Sequence, residues 1–194
     1  PTAMNGQVFA VEGQVIYTPG TTGFKDCANQ AAATSGAGDN NGYEVGAANG
    51  CVDDNVEAAD IDSGTSTATG CGNANKDKHN FWGYTFGLPG TVTAITSIQV
   101  RTGIRIDTVA GTNRVCARLS WNGGTSWTAT QQVNVTSTAQ TWYTLGGSAF
   151  LWGRAWAVGD LSDGNFRVRL IDVSSFTTRD FLLDSVQVQV NYTP

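Results

Sequence analysis

Apolar and polar residues alternate near the start of the chain. Phe9, Val11, Gly13, Val15 and Tyr17 share one side, and Ala10, Glu12, Gln14 and Ile16 the other. A period of two predicts an N-terminal strand. The pattern then stops. Residues 18–80 contain no leucine, and their only large apolar residues are Phe24, Tyr43, Val45, Val52, Val56 and Ile61. From Phe81 strand signals return: Trp82, Tyr84 and Phe86; then Ile98, Val100, Ile104 and Ile106; then Arg114 to Trp121; then Phe166, Val168 and Leu170; and finally Val186, Val188, Val190 and Tyr192. Glycine, asparagine and proline punctuate these runs at sandwich-like intervals, and no stretch reads as a helix. The expected fold is all-β, a two-sheet, jelly-roll-like β-sandwich forming one domain. Within it, residues 1–17 are an N-terminal strand, 18–80 a covering segment without a core of its own, and 81–194 the sandwich core.

Cysteine usage explains how so long a polar segment stays in place. A structureless stretch of this length inside a compact domain is unusual unless it is functional or stapled. Cys27, Cys51 and Cys71 lie in it and Cys116 lies beyond it, with no C-x-x-C pair of the kind that marks a zinc or redox site. Disulfides are expected, and four cysteines allow three pairings. In Arg114 to Trp121, alternation turns Val115, Ala117, Leu119 and Trp121 inward and Cys116 outward with Arg114 and Arg118. Its partner must then cross the outer face of a sheet, so the simplest pairing is Cys71 with Cys116 and Cys27 with Cys51. Disulfides, 24 glycines and only 14% charged residues point to a secreted or cell-surface protein. The start at Pro1 without an initiator methionine is expected of a mature chain after leader removal.

Charge is divided along the sequence. Residues 1–80 carry three lysines against ten acids, −7, whereas residues 81–194 carry eight arginines against six acids, +2. Such a balance suits neither nucleic acid nor an anionic membrane, and no apolar run is long enough to span a bilayer. It does favour contact between the two parts, within one molecule or between copies. Arg101, Arg105, Arg114, Arg118, Arg167 and Arg169 are expected on outward sheet faces, with part of segment 39–62 against them.

Ser120-Trp121-Asn122-Gly123-Gly124-Thr125-Ser126-Trp127 resembles an Asp-box hairpin, with Asn122 in the aspartate position and Ser126 in that of a threonine. Its chemistry is structural: a short polar side chain folds back onto turn amides while glycines adopt positive φ. A single copy implies no glycosidase. The stretch Phe81–Thr193, with Leu145-Gly146-Gly147, Trp152-Gly153-Arg154-Ala155-Trp156, Asn165-Phe166-Arg167-Val168-Arg169 and Leu183-Asp184-Ser185-Val186, resembles sandwich domains of bacterial secreted surface and appendage proteins. It is similar, more weakly, to carbohydrate-binding modules. That second resemblance implies a calcium ion shared by Glu12 and Asp184, clamping the first and last strands. Asp53, Asp54, Glu57, Asp60 and Asp62 form a second candidate calcium cluster. Asp60-Ile61-Asp62-Ser63-Gly64 is a fragment of a calcium loop without the third aspartate or the terminal glutamate. Among the six tryptophans, Trp152 and Trp156, in a glycine-bounded turn, are the candidates for stacking on sugar rings.

Catalysis finds little support. His79 is the sole histidine and sits in the polar run Lys76-Asp77-Lys78-His79-Asn80, where a solvated side chain is expected. No carboxylate pair lies in a glycosidase motif. The expected function is structural: a non-enzymatic subunit of an extracellular filament, pilus-like fibre or surface layer, polymerising with copies of itself. Phe9, Val11, Val15 and Tyr17 would anchor a donated strand in a neighbour's sheet. The alternative is a secreted, calcium-dependent module that binds glycans.

Overall fold

The computed structural model describes residues 18–194. Ten strands follow in order: β1 (Gly20–Asp26), β2 (Asn29–Ala32), β3 (Ala58–Asp60), β4 (Lys78–Trp82), β5 (Ala94–Ile106), β6 (Asn113–Ser120), β7 (Gln131–Asn134), β8 (Thr141–Leu145), β9 (Arg167–Ser174) and β10 (Phe181–Thr193). Only two 3-10 turns, Ala47–Gly50 and Val158–Leu161, interrupt them as helical elements among the described residues. All pairings are antiparallel and build two sheets. Sheet I runs β1-β10-β5-β8, with β3 also paired to β10, and sheet II runs β2-β4-β9-β6-β7. The result is the expected two-sheet β-sandwich. From β4 onward the chain changes sheet at every connection but β6 to β7, so the core is stitched by contacts distant in sequence.

The two long central strands show why the sequence folds this way. In β5, Ile98, Val100, Ile104 and Ile106 alternate inward and are fully buried. β10 buries Phe181 and Leu183, then Val186, Val188 and Val190, so its inward phase switches from odd to even positions. The switch coincides with a register shift between Leu183 and Ser185 in its pairing with β5. A bulge adds one residue and so restores the apolar face to the core. Val115, Ala117 and Leu119 of β6 and Val168 and Leu170 of β9 close the core from sheet II. Each fully buried aliphatic side chain of this kind contributes about 1.5–3 kcal/mol.

Segment 18–80 is more than a cover. It supplies β1, β2, β3 and the first residues of β4, so the boundary expected at residue 81 falls inside a strand. These are short edge strands, Gly-Thr-Thr-Gly-Phe-Lys-Asp and Asn-Gln-Ala-Ala among them. Their stabilisation comes from backbone pairing with β10 and β4, which needs no apolar alternation. Both staples form as the simplest pairing requires, Cys27–Cys51 and Cys71–Cys116. Cys116 lies outside the main core, in a small buried cluster with Cys71, Ile171 and Val173. The bridge thus ties the covering segment to the outer face of sheet II.

The expected strand at residues 9–17, with Phe9, Val11, Val15, Tyr17 and Glu12, lies outside the described residues. The chain enters the described fold at β1, a terminal strand of sheet I.

Candidate functional site

Three constellations carry chemistry, and each is built by strand alternation. The first is the outer face of sheet I. Along β10, Gln187, Gln189 and Asn191 alternate with the inward valines and face Arg101, Gln99 and Ser97 of β5. Gln187 Nε2 donates to Asp26 Oδ1 at 2.7 Å, and Arg101 Nε donates to Gln187 Oε1 at 2.7 Å. The Arg101 guanidinium lies 4.0 Å from the ring centre of Phe24 and 4.3 Å from that of Trp142. A fixed amide network with an arginine clamped between two rings can hydrogen-bond hydroxyl or carboxylate groups laid across the sheet. Its sequence signal was the glutamines alternating with Val186, Val188 and Val190, which were read only for their inward neighbours.

The second is the outer face of sheet II, where arginines and tryptophans interleave. Arg167 stacks 4.4 Å over Trp82, and Arg169 stacks 4.0 Å over Trp127. Arg169 Nε also donates to Asn80 Oδ1, and Arg118 Nε to Thr130 Oγ1. The hairpin that brings Trp127 here has the expected Asp-box chemistry. Asn122 Oδ1 accepts from the Ser126 amide at 2.8 Å, Ser120 Oγ accepts from the Gly124 amide at 2.8 Å, and Gly123 and Gly124 have φ of 70° and 94°.

The third is a buried acidic cluster that sequence reasoning did not assemble. Asp60 on β3 and Asp172 on β9 come from opposite sheets, with Tyr43 beside them, and all three are buried. Both Asp60 oxygens, Asp172 Oδ1 and Tyr43 Oη lack a hydrogen-bond partner within ordinary distance. Burial, with the neighbouring Asp172 and Asp77 charges, holds the Asp60 carboxyl well above its usual range. Burial pushes Asp172 up to about 7, although Tyr43 and Asp60 lie near enough to oppose the shift. Asp77 is also raised to about 7 by burial and the Asp39 charge. Asp172 carries no motif that would have singled it out; only its inward phase on β9 places it here.

His79 is not solvated: it lies on β4, 2% exposed. Its Nδ1 accepts from the Tyr43 amide at 3.1 Å and its Nε2 meets Gln30 Oε1 at 2.5 Å, which assigns the proton to Nε2. Burial lowers its pKa to about 4. Trp152 and Trp156 offer no stacking face. They are 1% and 6% exposed, and their Nε1 groups donate to the carbonyls of Ile98 and Leu151. A buried indole needs an acceptor for its N–H, and both rings have one. The calcium candidates separate. Asp184 Oδ1 accepts from the amides of Asp54 and Asn55, Asp60 turns into the interior, and the Asp62 amide donates to Asp180. Asp53 is exposed beside Asp184. Among the described residues no three His, Cys, Asp or Glu side chains converge as a metal site. Of the six arginines expected to meet segment 39–62, Arg105 does so, through a two-pronged pair with Glu57 at 2.7 and 2.6 Å. The other five are held by aromatic rings and by amide or hydroxyl oxygens.

No protein-family model matches the sequence, and no curated protein matches it. Among solved structures, one similar chain is a protein of Bacteroides vulgatus described as a glycoside hydrolase. It has 9% identity and a TM-score of 0.35, over 57% of this chain and 62% of that one. Another is the CBM22-1 and GH10 module pair of Clostridium thermocellum endo-1,4-β-D-xylanase 10B, with 12% identity and a TM-score of 0.37. That match covers 87% of this chain and 26% of the xylanase chain.

Proposed function

We propose that this chain is a non-enzymatic structural subunit of an extracellular filament, fibre or surface layer, assembling through strand donation and contacts of complementary charge. The observation that carries the reading is where the N-terminal segment joins the fold. Residues 9–17 carry a strand pattern in the sequence, and the first strand of the described fold after them, β1, is a terminal strand of sheet I. An extended segment leaving at a sheet edge can lie along a neighbour's edge, where main-chain hydrogen bonds supply affinity and alternate side chains supply specificity. Two disulfides fit an oxidising compartment, and no helix among the described residues is long and apolar enough to cross a membrane.

The test replaces Phe9 and Val11 by aspartate. Strand donation predicts a folded, disulfide-bonded monomer that no longer polymerises, seen as a native-like circular dichroism spectrum without filaments in negative stain. Loss of the β signal would show instead that the segment belongs to its own core, because buried carboxylates unfold it.

A second reading, glycan binding, is favoured by the outer face of sheet I. There Arg101, between Phe24 and Trp142, is the anchor. Arg101→Ala should abolish retardation in affinity gels containing soluble polysaccharide. A wild-type chain that no polysaccharide retards would remove this reading.

A further inference from the structure

The described residues carry two oppositely charged surfaces on different sides of the sandwich, and no ion pair among the described residues joins one to the other. On the outer face of sheet II, Lys78, Arg118 and Arg169 crowd together. After burial, the Arg169 and Arg118 charges lower the Lys78 pKa against an opposing Asp77 charge, and Arg118 likewise lowers that of Arg169, which it faces across the β6–β9 pair. Arg114 and Arg167 extend the patch along β6 and β9. Among the described residues the ion pairs are Arg105–Glu57, Arg154–Asp160 and Arg179–Asp107, and none involves a cation of this face. Basic side chains are thus concentrated, held in place by Trp82, Trp127, Asn80 and Thr130, and without carboxylate partners there.

The counterpart lies beside sheet I, in the loops flanking β3. Glu44, Asp53, Asp54 and Asp62 are exposed there. Between them stand Val45, Val52, Val56 and Ile61, at 54%, 49%, 53% and 39% exposure. Like charges crowd here too. Burial raises the Asp184 carboxyl; the amides of Asp54 and Asn55 oppose this, and the Asp53 and Asp54 charges add to it. Aliphatic side chains set among charges that lack partners resemble an uncovered protein interface more than an ordinary solvated loop.

We infer that the acidic, aliphatic ridge around β3 of one copy docks on the arginine and tryptophan face of sheet II of the next. This rests on the self-assembly reading and names its second contact. The two surfaces differ and lie on different sides of the sandwich, so the contact is head-to-tail and builds a ring or an open chain of subunits. The segment carrying Cys71 already covers the part of this face over Cys116, Ile171 and Val173, so the docking surface is the remainder, around Arg118, Arg167, Arg169, Trp82 and Trp127. Carboxylates meeting stacked guanidinium groups, with valines covering the tryptophan edges, supply both steering and a dry centre.

The test uses the full chain in sedimentation velocity at low and high salt. Two variants reverse one surface each: Arg114→Glu with Arg118→Glu, and Asp53→Lys with Asp54→Lys. A third carries all four changes. Wild-type assembly should weaken as salt rises. Each two-residue reversal should lower the association constant about tenfold or more, and the four-residue variant should recover most of it. Asp53→Lys alone leaves the Asp54 side chain on the Val56 amide, so it keeps the turn intact and should act in the same direction. Near-ultraviolet circular dichroism confirms the fold of each variant. If the wild type assembles and the folded reversals assemble equally well, the contact is wrong while self-assembly stands. A wild type that stays monomeric at every salt and concentration overturns both.

Discussion

Replacing Asp172 by asparagine isolates the buried carboxyl pair and gives the most stringent check on the packing between the sheets. Asp172 projects inward from β9 towards Asp60 of the opposite sheet, where two charges cannot be solvated. Burial moves its pKa from 3.8 to about 7. Between those values the folded state keeps a proton that the unfolded chain has lost. Stability from this group is therefore fully present below about 3.8 and lost as pH rises through about 7. A shift of about 3 units at 1.36 kcal/mol per unit is worth about 4 kcal/mol. The measured midpoints belong to the Asp60–Asp172 pair, since protons leave such pairs jointly.

His79 acts in the opposite sense. Its pKa falls from 6.5 to about 4, so its contribution is present above 6.5 and lost as pH falls through about 4. That shift corresponds to about 3 kcal/mol. Between about pH 4 and 6.5 the His79 slope is opposed by those of Asp172, Asp77 and Asp60, whose folded-state pKa values are all raised, so the wild type should lose stability as pH rises. Asp172→Asn removes one of the opposing slopes, so the variant should depend less steeply on pH than the wild type. The difference between variant and wild type is cleaner, because His79 and Asp77 drop out of it. The variant should gain on the wild type by up to about 4 kcal/mol from pH 4 to pH 8. The assay is urea unfolding across that range with disulfides intact, followed by tryptophan fluorescence. A stability difference that does not change with pH would refute the placement of Asp172 in a carboxyl pair.

Two further outcomes follow from the core and the staple. Cys71→Ser with Cys116→Ser should destabilise the chain by about 2–5 kcal/mol, measured by the same unfolding assay, because the bridge closes a 45-residue separation over the outer face of sheet II. Trp152→Ala should cost about 3–5 kcal/mol, and Trp152→Phe less, since the ring is buried and its N–H is spent on the Ile98 carbonyl; neither should alter polysaccharide retardation.

Alternation over Ile98 to Ile106, Val115 to Leu119 and Val186 to Val190 determined, from the sequence alone, that the chain is a β-sandwich and which side chains fill it. A period of two has one apolar face, and where no stretch of the sequence reads as a helix a second sheet must cover it. The same logic placed Cys116 outside the core and so led to the simplest pairing of the cysteines. The Asp-box hairpin was equally legible, since Asn122 and Ser120 each accept from an amide four residues on.

What escaped the sequence depends on partners far along the chain. β1, β2 and β3 lack alternation because edge strands are held by backbone bonds to β10 and β4, which composition does not encode. Trp152 and Trp156 looked exposed in a glycine-bounded turn, and carbonyl acceptors at Ile98 and Leu151 put them inside. Asp60 read as part of a calcium loop, and His79 as solvated, until β3 and β4 were set against β9, Tyr43 and Gln30. Opposite charge in the two parts of the sequence suggested mutual contact. Among the described residues the ion pair between the two parts is Arg105 with Glu57; Arg101, Arg114, Arg118, Arg167 and Arg169 project where aromatic rings and amide or hydroxyl oxygens, rather than the acidic loops, lie within reach.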